Sequence, residues 1–199
     1  YIMELEGYIP SQNYWMAVKL DSQANIEWKT TSAMDPARID DHIIRQTSDL
    51  GYLVLCDKTM IKLNNHGEIQ WEYSPAGDLV HDRTIMRSYI QTSDNGFVVV
   101  GHYVSDAPGI ILQGILIKIN ENGIKEWHRF LGTSYRTYCY DIEKSSEGSY
   151  MIAATTGNDD YQELFIEKID EAGNTILTKA YSTSGYSFVR GITKTRDNG

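Results

Sequence analysis

The chain has 199 residues and a mass of 22.6 kDa, long enough to bury a real core. Its 18 Lys and Arg against 27 Asp and Glu leave a formal charge of -9, which argues against a general nucleic-acid binder, because gripping a phosphate backbone needs a basic face. With 41% apolar and 23% charged residues, and no run near the roughly 20 apolar residues of a spanning helix, the composition fits neither a disordered tail nor a transmembrane segment.

In chain order the sequence reads as short apolar runs separated by polar turns. Residues 1–30 form a partial unit of three strands, with one strand over 14–20, a turn at Asp21 and an outer strand carrying Trp28. The next unit, 31–77, has strands near 40–47, 51–56 and 58–63, then the turn Asn64-Asn65-His66-Gly67 and a strand bearing Trp71. Unit 78–133 repeats this order with strands over 85–92, 96–103 and 114–119, a turn ending at Gly123, and Trp127. Unit 134–184 has strands over 138–145, 149–155 and 163–169, a turn ending at Gly173, and Leu177 where the others have Trp. The last piece, 185–199, supplies one further strand near 187–194 and stops on the turn Asp197-Asn198-Gly199.

We label the four strands of a unit A to D in chain order. The Lys of strand C recurs at Lys19, Lys62, Lys118 and Lys168, spacings of 43, 56 and 50 residues. Asp-Asn-Gly and Asn-Gly tolerate the positive φ that tight hairpins demand, and the flanks are rich in Val, Ile, Leu, Tyr and Phe. Asp49, Asp94 and Asp197 read as turn formers that accept hydrogen bonds from nearby amides. All four Pro residues fall outside the strands, and no amphipathic helix is found. Four antiparallel strands in a unit of about 50 residues is the arithmetic of a β-propeller blade. The expected fold is therefore all-β: a single propeller domain of sixteen strands, or about four blade equivalents. Either it closes as a four-blade ring or, the preferred reading, it is an arc of a larger propeller. A Trp near the start of each outer strand is expected to pack on the adjoining blade.

The run Gln91-Thr92-Ser93-Asp94-Asn95-Gly96-Phe97-Val98-Val99-Val100-Gly101, followed by Ile115 to Trp127, resembles the repeats of secreted bacterial and archaeal β-propeller proteins. The likeness covers essentially the whole chain. It implies an exported protein, extracellular, cell-surface or periplasmic, that acts by binding or scaffolding. Asn64 to Trp71 is also distantly similar to quinoprotein (PQQ-type) repeats. The Asp-to-Gly step is one residue shorter here and the Thr before the Gly is missing, so no cofactor is implied. Thr92 to Phe97 resembles a sialidase Asp box that lacks its closing Trp.

No nucleophile elbow, phosphate loop, zinc-type His pair or EF-hand loop is present, so no catalytic residue, metal site or cofactor is expected. Cys56 and Cys139 read as small buried hydrophobes. Aligning the A strands on Gln46, Gln91, Lys144 and Lys194 puts His42, Arg87, Tyr140 and Arg190 in one column. Strand A lines the channel of a propeller, so these four are the candidate ligand ring, with the two Arg suited to an anion or carboxylate. Tyr residues cluster at Tyr135, Tyr138 and Tyr140 and again at Tyr181 and Tyr186, where they would suit a sugar or a protein surface. The function expected is non-catalytic, with a protein partner or a surface glycan. The alternatives are a propeller lectin and, behind it, a carbohydrate-active or quinoprotein enzyme.

Overall fold

The computed structural model describes residues 1–9, 12–34, 42–56, 58–75, 84–104, 112–132, 136–145, 148–158, 162–182 and 188–197, with backbone alone at 4–9, 12–13, 33–34 and 42. The described residues form fifteen strands and no helix. Hence no helix among them is long and apolar enough to cross a membrane, which says nothing about β-barrels.

The strands make four antiparallel sheets, each in simple meander order. The first holds β1 (Ile2–Ile9), β2 (Gln12–Leu20) and β3 (Ile26–Met34). The second holds β4 (His42–Gln46), β5 (Tyr52–Cys56), β6 (Thr59–Leu63) and β7 (Ile69–Tyr73). The third runs through β8 (Thr84–Gln91), β9 (Phe97–Val104), β10 (Leu112–Ile119) and β11 (Lys125–Leu131). The fourth runs through β12 (Arg136–Lys144), β13 (Tyr150–Gly157), β14 (Gln162–Ile169) and β15 (Thr175–Ser182).

Strands B and C of the middle sheets are buried on both faces. That is why Leu53-Val54-Leu55 and Val98-Val99-Val100 are unbroken apolar runs instead of alternating ones. The chain separates into two compact units, Tyr1–Ser74 and Pro75–Gly199. In the first, Trp15 and Ala17 of β2 pack with Tyr52, Val54, Ile61 and Leu63 of the second sheet. In the other, Val98, Val100 and Leu116 of the third sheet meet Ile142, Ile152 and Phe165 of the fourth.

All four C-to-D turns share one construction. The leading Asx side chain accepts amides at two and four residues on, as Asn64 Oδ1 does from His66 N and Glu68 N, both at 2.9 Å. The fourth position has positive φ in each: Ala24, Gly67, Gly123 and Gly173, at 65, 82, 78 and 83°. A bulge follows, so that Lys62 pairs with Trp71 but Leu63 with Ile69. The turn glycine has a second duty. A Cβ on Gly67 would lie 2.5 Å from the Trp28 ring of the preceding sheet, and one on Gly173 would lie 2.6 Å from the Trp127 ring. Each Trp thus lies on the turn of the following sheet, and Trp28 Nε1 also donates to Asn65 O at 3.1 Å.

One expected strand is absent. Residues 188–197 form no strand, so the A strand read over 187–194 is not made in the described part of that range and the strand count falls by one. A segment becomes a strand only when a neighbour takes its amides. Here Ile192 N donates instead to the Asp141 carboxylate at 3.0 Å, and Gly191 interrupts the run.

Candidate functional site

Two kinds of polar cluster stand out among the described residues. The first is a latch inside a single sheet. Lys62 lies almost wholly inside, its side chain 5% exposed, and its Nζ contacts Asp49 Oδ2 at 2.8 Å, Leu63 O at 3.0 Å and Gln70 Oε1 at 3.1 Å. Lys118, 3% exposed, repeats this with Asp94 at 2.9 Å, Ile119 O at 3.3 Å and Glu126 at 3.2 Å. Asp49 and Asp94 also accept the hydroxyls of Thr47 and Thr92, both at 2.5 Å, and the amides of Gly51 and Gly96. A Cβ at Gly51 or Gly96 would collide with the lysine Nζ and a backbone oxygen. These glycines therefore serve close approach, while positive φ falls one residue earlier, at Leu50 and Asn95. Burial works against the charge of Asp94, but its bonds to Thr92 and Lys118 outweigh that and hold its pKa at about 2.

The second cluster lies on β8 and β12, the first strands of the third and fourth sheets. Arg87 and Tyr140 are the extra residues of two β-bulges. Met86 pairs with Gly101 and Ser88 with Val100, leaving Arg87 between them, and Tyr140 stands likewise between Cys139 and Asp141. Bulges re-aim side chains, and here they do so at matching positions of two successive A strands. Arg87 and Tyr140 are half-buried, and Arg190 is exposed on the segment that follows β15. Burial raises the pKa of the Tyr140 phenol against the pull of Thr155, Arg87 and Arg190, so both guanidinium charges act on this ring. Tyr138 stacks on Tyr140 with centroids 6.3 Å apart and planes at 25°, and the buried His102 meets Tyr138 edge-on at 5.3 Å.

Asp141 ties these strands together. It accepts from Ser88 Oγ at 2.6 Å, its neighbour Ile142 N at 2.9 Å and Ile192 N at 3.0 Å.

Of the four residues in the predicted ring, Arg87 and Arg190 both act electrostatically on Tyr140. His42 opens β4 opposite Cys56, in a strand whose pairing has no bulge, and its side chain lies outside the described residues. Tyr135 and Tyr186 also lie outside them. The alignment missed His102, Asp141 and Ser88; a bulge has no local sequence signal, and His102 comes from strand B. Tyr138 was visible only as one member of a tyrosine cluster.

Elsewhere, acidic groups are held in structural pairs. Glu167 is buried and takes Arg129 Nη2 at 2.6 Å and Thr175 Oγ1 at 2.6 Å. Cys139 is fully buried, and burial with nearby Glu167 pushes its thiol pKa far up, which makes it a poor nucleophile. Among the described residues no three His, Cys, Asp or Glu side chains are grouped to hold a metal ion.

No family model and no curated protein matches the chain. Among solved structures it is similar to a protein of unknown function from Bacteroides caccae, with 10% identity and a TM-score of 0.46 over 88% of this chain and 72% of that one.

Proposed function

We propose that the chain is a non-catalytic protein-interaction module of the β-propeller type, an arc of a larger propeller working at the cell surface or elsewhere outside the cytoplasm. The observation that carries this reading is the outer face of β15. Trp28 of β3 and Trp127 of β11 each press on the turn glycine of the next sheet, and Arg129 of β11 reaches Thr175 and Glu167. On β15 all eight residues are exposed, with Ile176, Leu177 and Tyr181 at 55, 41 and 49%. Leu177, Lys179 and Tyr181 hold the positions that Trp127, Arg129 and Leu131 hold on β11. The partner that fits is another sheet of the same repeat, with an Asx turn whose glycine accepts Leu177.

The non-catalytic part rests on how the acidic groups are used. Asp49 and Asp94 hold buried lysines, Glu167 holds Arg129, and Asp141 holds neighbouring strands. The location rests on the likeness to secreted repeats.

Sedimentation of the 199-residue chain by itself over a range of concentrations tests the docking face. Reversible association that Leu177→Glu with Tyr181→Glu abolishes is expected. Both side chains are exposed, so the double variant should keep its fold. A chain that stays monomeric at every concentration, or an association indifferent to these changes, would overturn the reading.

A further inference from the structure

We propose that Arg87, Tyr138, Tyr140 and Arg190 form a binding site for a carboxylated sugar, a uronate unit of an acidic polysaccharide. The site uses none of the residues of the β15 face and stands whether or not that face docks a partner.

Ser88, next to Arg87, and Ile192, two residues from Arg190, both donate to Asp141 beside Tyr140, and both guanidinium charges act on that phenol, in a protein whose formal charge is -9. A cationic pair kept on an acidic chain selects locally for an anion, and the planar guanidinium fork matches a carboxylate in two-pronged fashion. Asp141 follows Tyr140 on β12. Its oxygens already accept the Ser88 hydroxyl and the amides of Ile142 and Ile192. Arg190 makes no ion pair among the described residues and is exposed, so its fork is open to an incoming acid. At neutral pH the Tyr140 phenol stays protonated and can donate to the same carboxylate.

The aromatic component decides the ligand class. Tyr138 and Tyr140 stack with planes 25° apart, and the buried His102 meets Tyr138 edge-on. A held pair of rings offers a flat, half-apolar surface with polar rims. A sugar acid has that complement: a carboxylate for the arginines, C–H bonds for the ring faces and hydroxyls for the rim. An acidic peptide side chain would need the arginines but not the stacked platform.

Calorimetric titration of the full chain with trigalacturonate, galactotriose and tetraglutamate tests this. Trigalacturonate should bind, with galactotriose and tetraglutamate each at least about tenfold weaker, a difference of about 1.4 kcal/mol. Arg190→Gln should weaken trigalacturonate binding about tenfold or more without touching the fold, since this residue is exposed and outside every sheet. Arg87→Gln should act in the same direction. No binding of trigalacturonate, equal binding of galactotriose, tetraglutamate binding as tightly, or an Arg190→Gln variant that binds unchanged would each overturn the proposal.

Discussion

Asp49 and Asp94 occupy the same place in two copies of one latch, yet their loss should not cost the same. Each receives a lysine whose side chain is 5% or less exposed, while the carboxylates themselves are about half exposed, at 52 and 57%. Removing one partner of a buried ion pair costs about 3–5 kcal/mol, because the remaining charge is left in a poor solvent. Solvent reaching the carboxylate screens part of that, which puts Asp49→Asn at about 2–3 kcal/mol. After that change Lys62 meets neutral oxygens alone among the described residues, those of Gln70 and Leu63 and the new amide. Lys118, by contrast, keeps Glu126 at 3.2 Å, so Asp94→Asn should cost about 1 kcal/mol. Urea unfolding at neutral pH, followed by tryptophan fluorescence, reads both. Each variant should be judged on the transition of its own unit, since two units need not unfold together. With a slope of about 1–3 kcal/mol per molar urea, Asp49→Asn should move its midpoint by about 1–2 M at unchanged slope. The reasoning fails if Asp94→Asn costs as much as Asp49→Asn, or if Asp49→Asn costs under about 0.5 kcal/mol.

Acid should expose the Asp94 latch. Its folded pKa of about 2 lies below the ordinary 3.8, so the unfolded chain takes up the proton first as pH falls. The stabilisation is complete above that ordinary value and is lost as pH drops through about 2; after screening it should be worth about 1 kcal/mol, and Asp94→Asn should remove this pH dependence in urea titrations. Ala24 has the φ of 65° that its counterparts meet with glycine, so Ala24→Gly should stabilise the first unit by about 1 kcal/mol, read as a higher melting temperature. Gly173→Ala should instead destabilise by about 2–4 kcal/mol, adding left-handed backbone strain to a collision with Trp127. Glu167→Gln should cost about 2–3 kcal/mol in the same unfolding assay by removing the buried carboxylate that balances the Arg129 charge. Cys139 should resist iodoacetamide in the native protein and react only in urea, as mass spectrometry would read.

The strands and turns were legible because their signals are local. Val98 to Val100 sits between turn residues, and the Asx residues Asp21, Asn64, Asn120 and Asp170 each lead a four-residue turn with its own side-chain hydrogen bonds. The recurring Trp could be assigned to packing because the period repeats it, and Trp28 and Trp127 do lie on glycines of the next sheet. What was hidden depends on residues distant in the chain. The recurring Lys and Asp were both seen, but their pairing required knowing that strand C returns beneath the A-to-B turn. The same hidden return sets Gly51 and Gly96 against an ammonium group, a duty that no local signal shows. Keeping the A strands in step put Arg87, Tyr140 and Arg190 in one column. It could not foresee the bulges that aim two of them, nor that the segment holding Arg190 has no ladder partner.

The central claim is that these sheets are blades of a propeller larger than the four described. The intact mass of the protein isolated from its source tests it most directly. A mass well above 22.6 kDa, with further Asx turns and outer-strand Trp residues in the added sequence, is the predicted result. A mass of 22.6 kDa would contradict it.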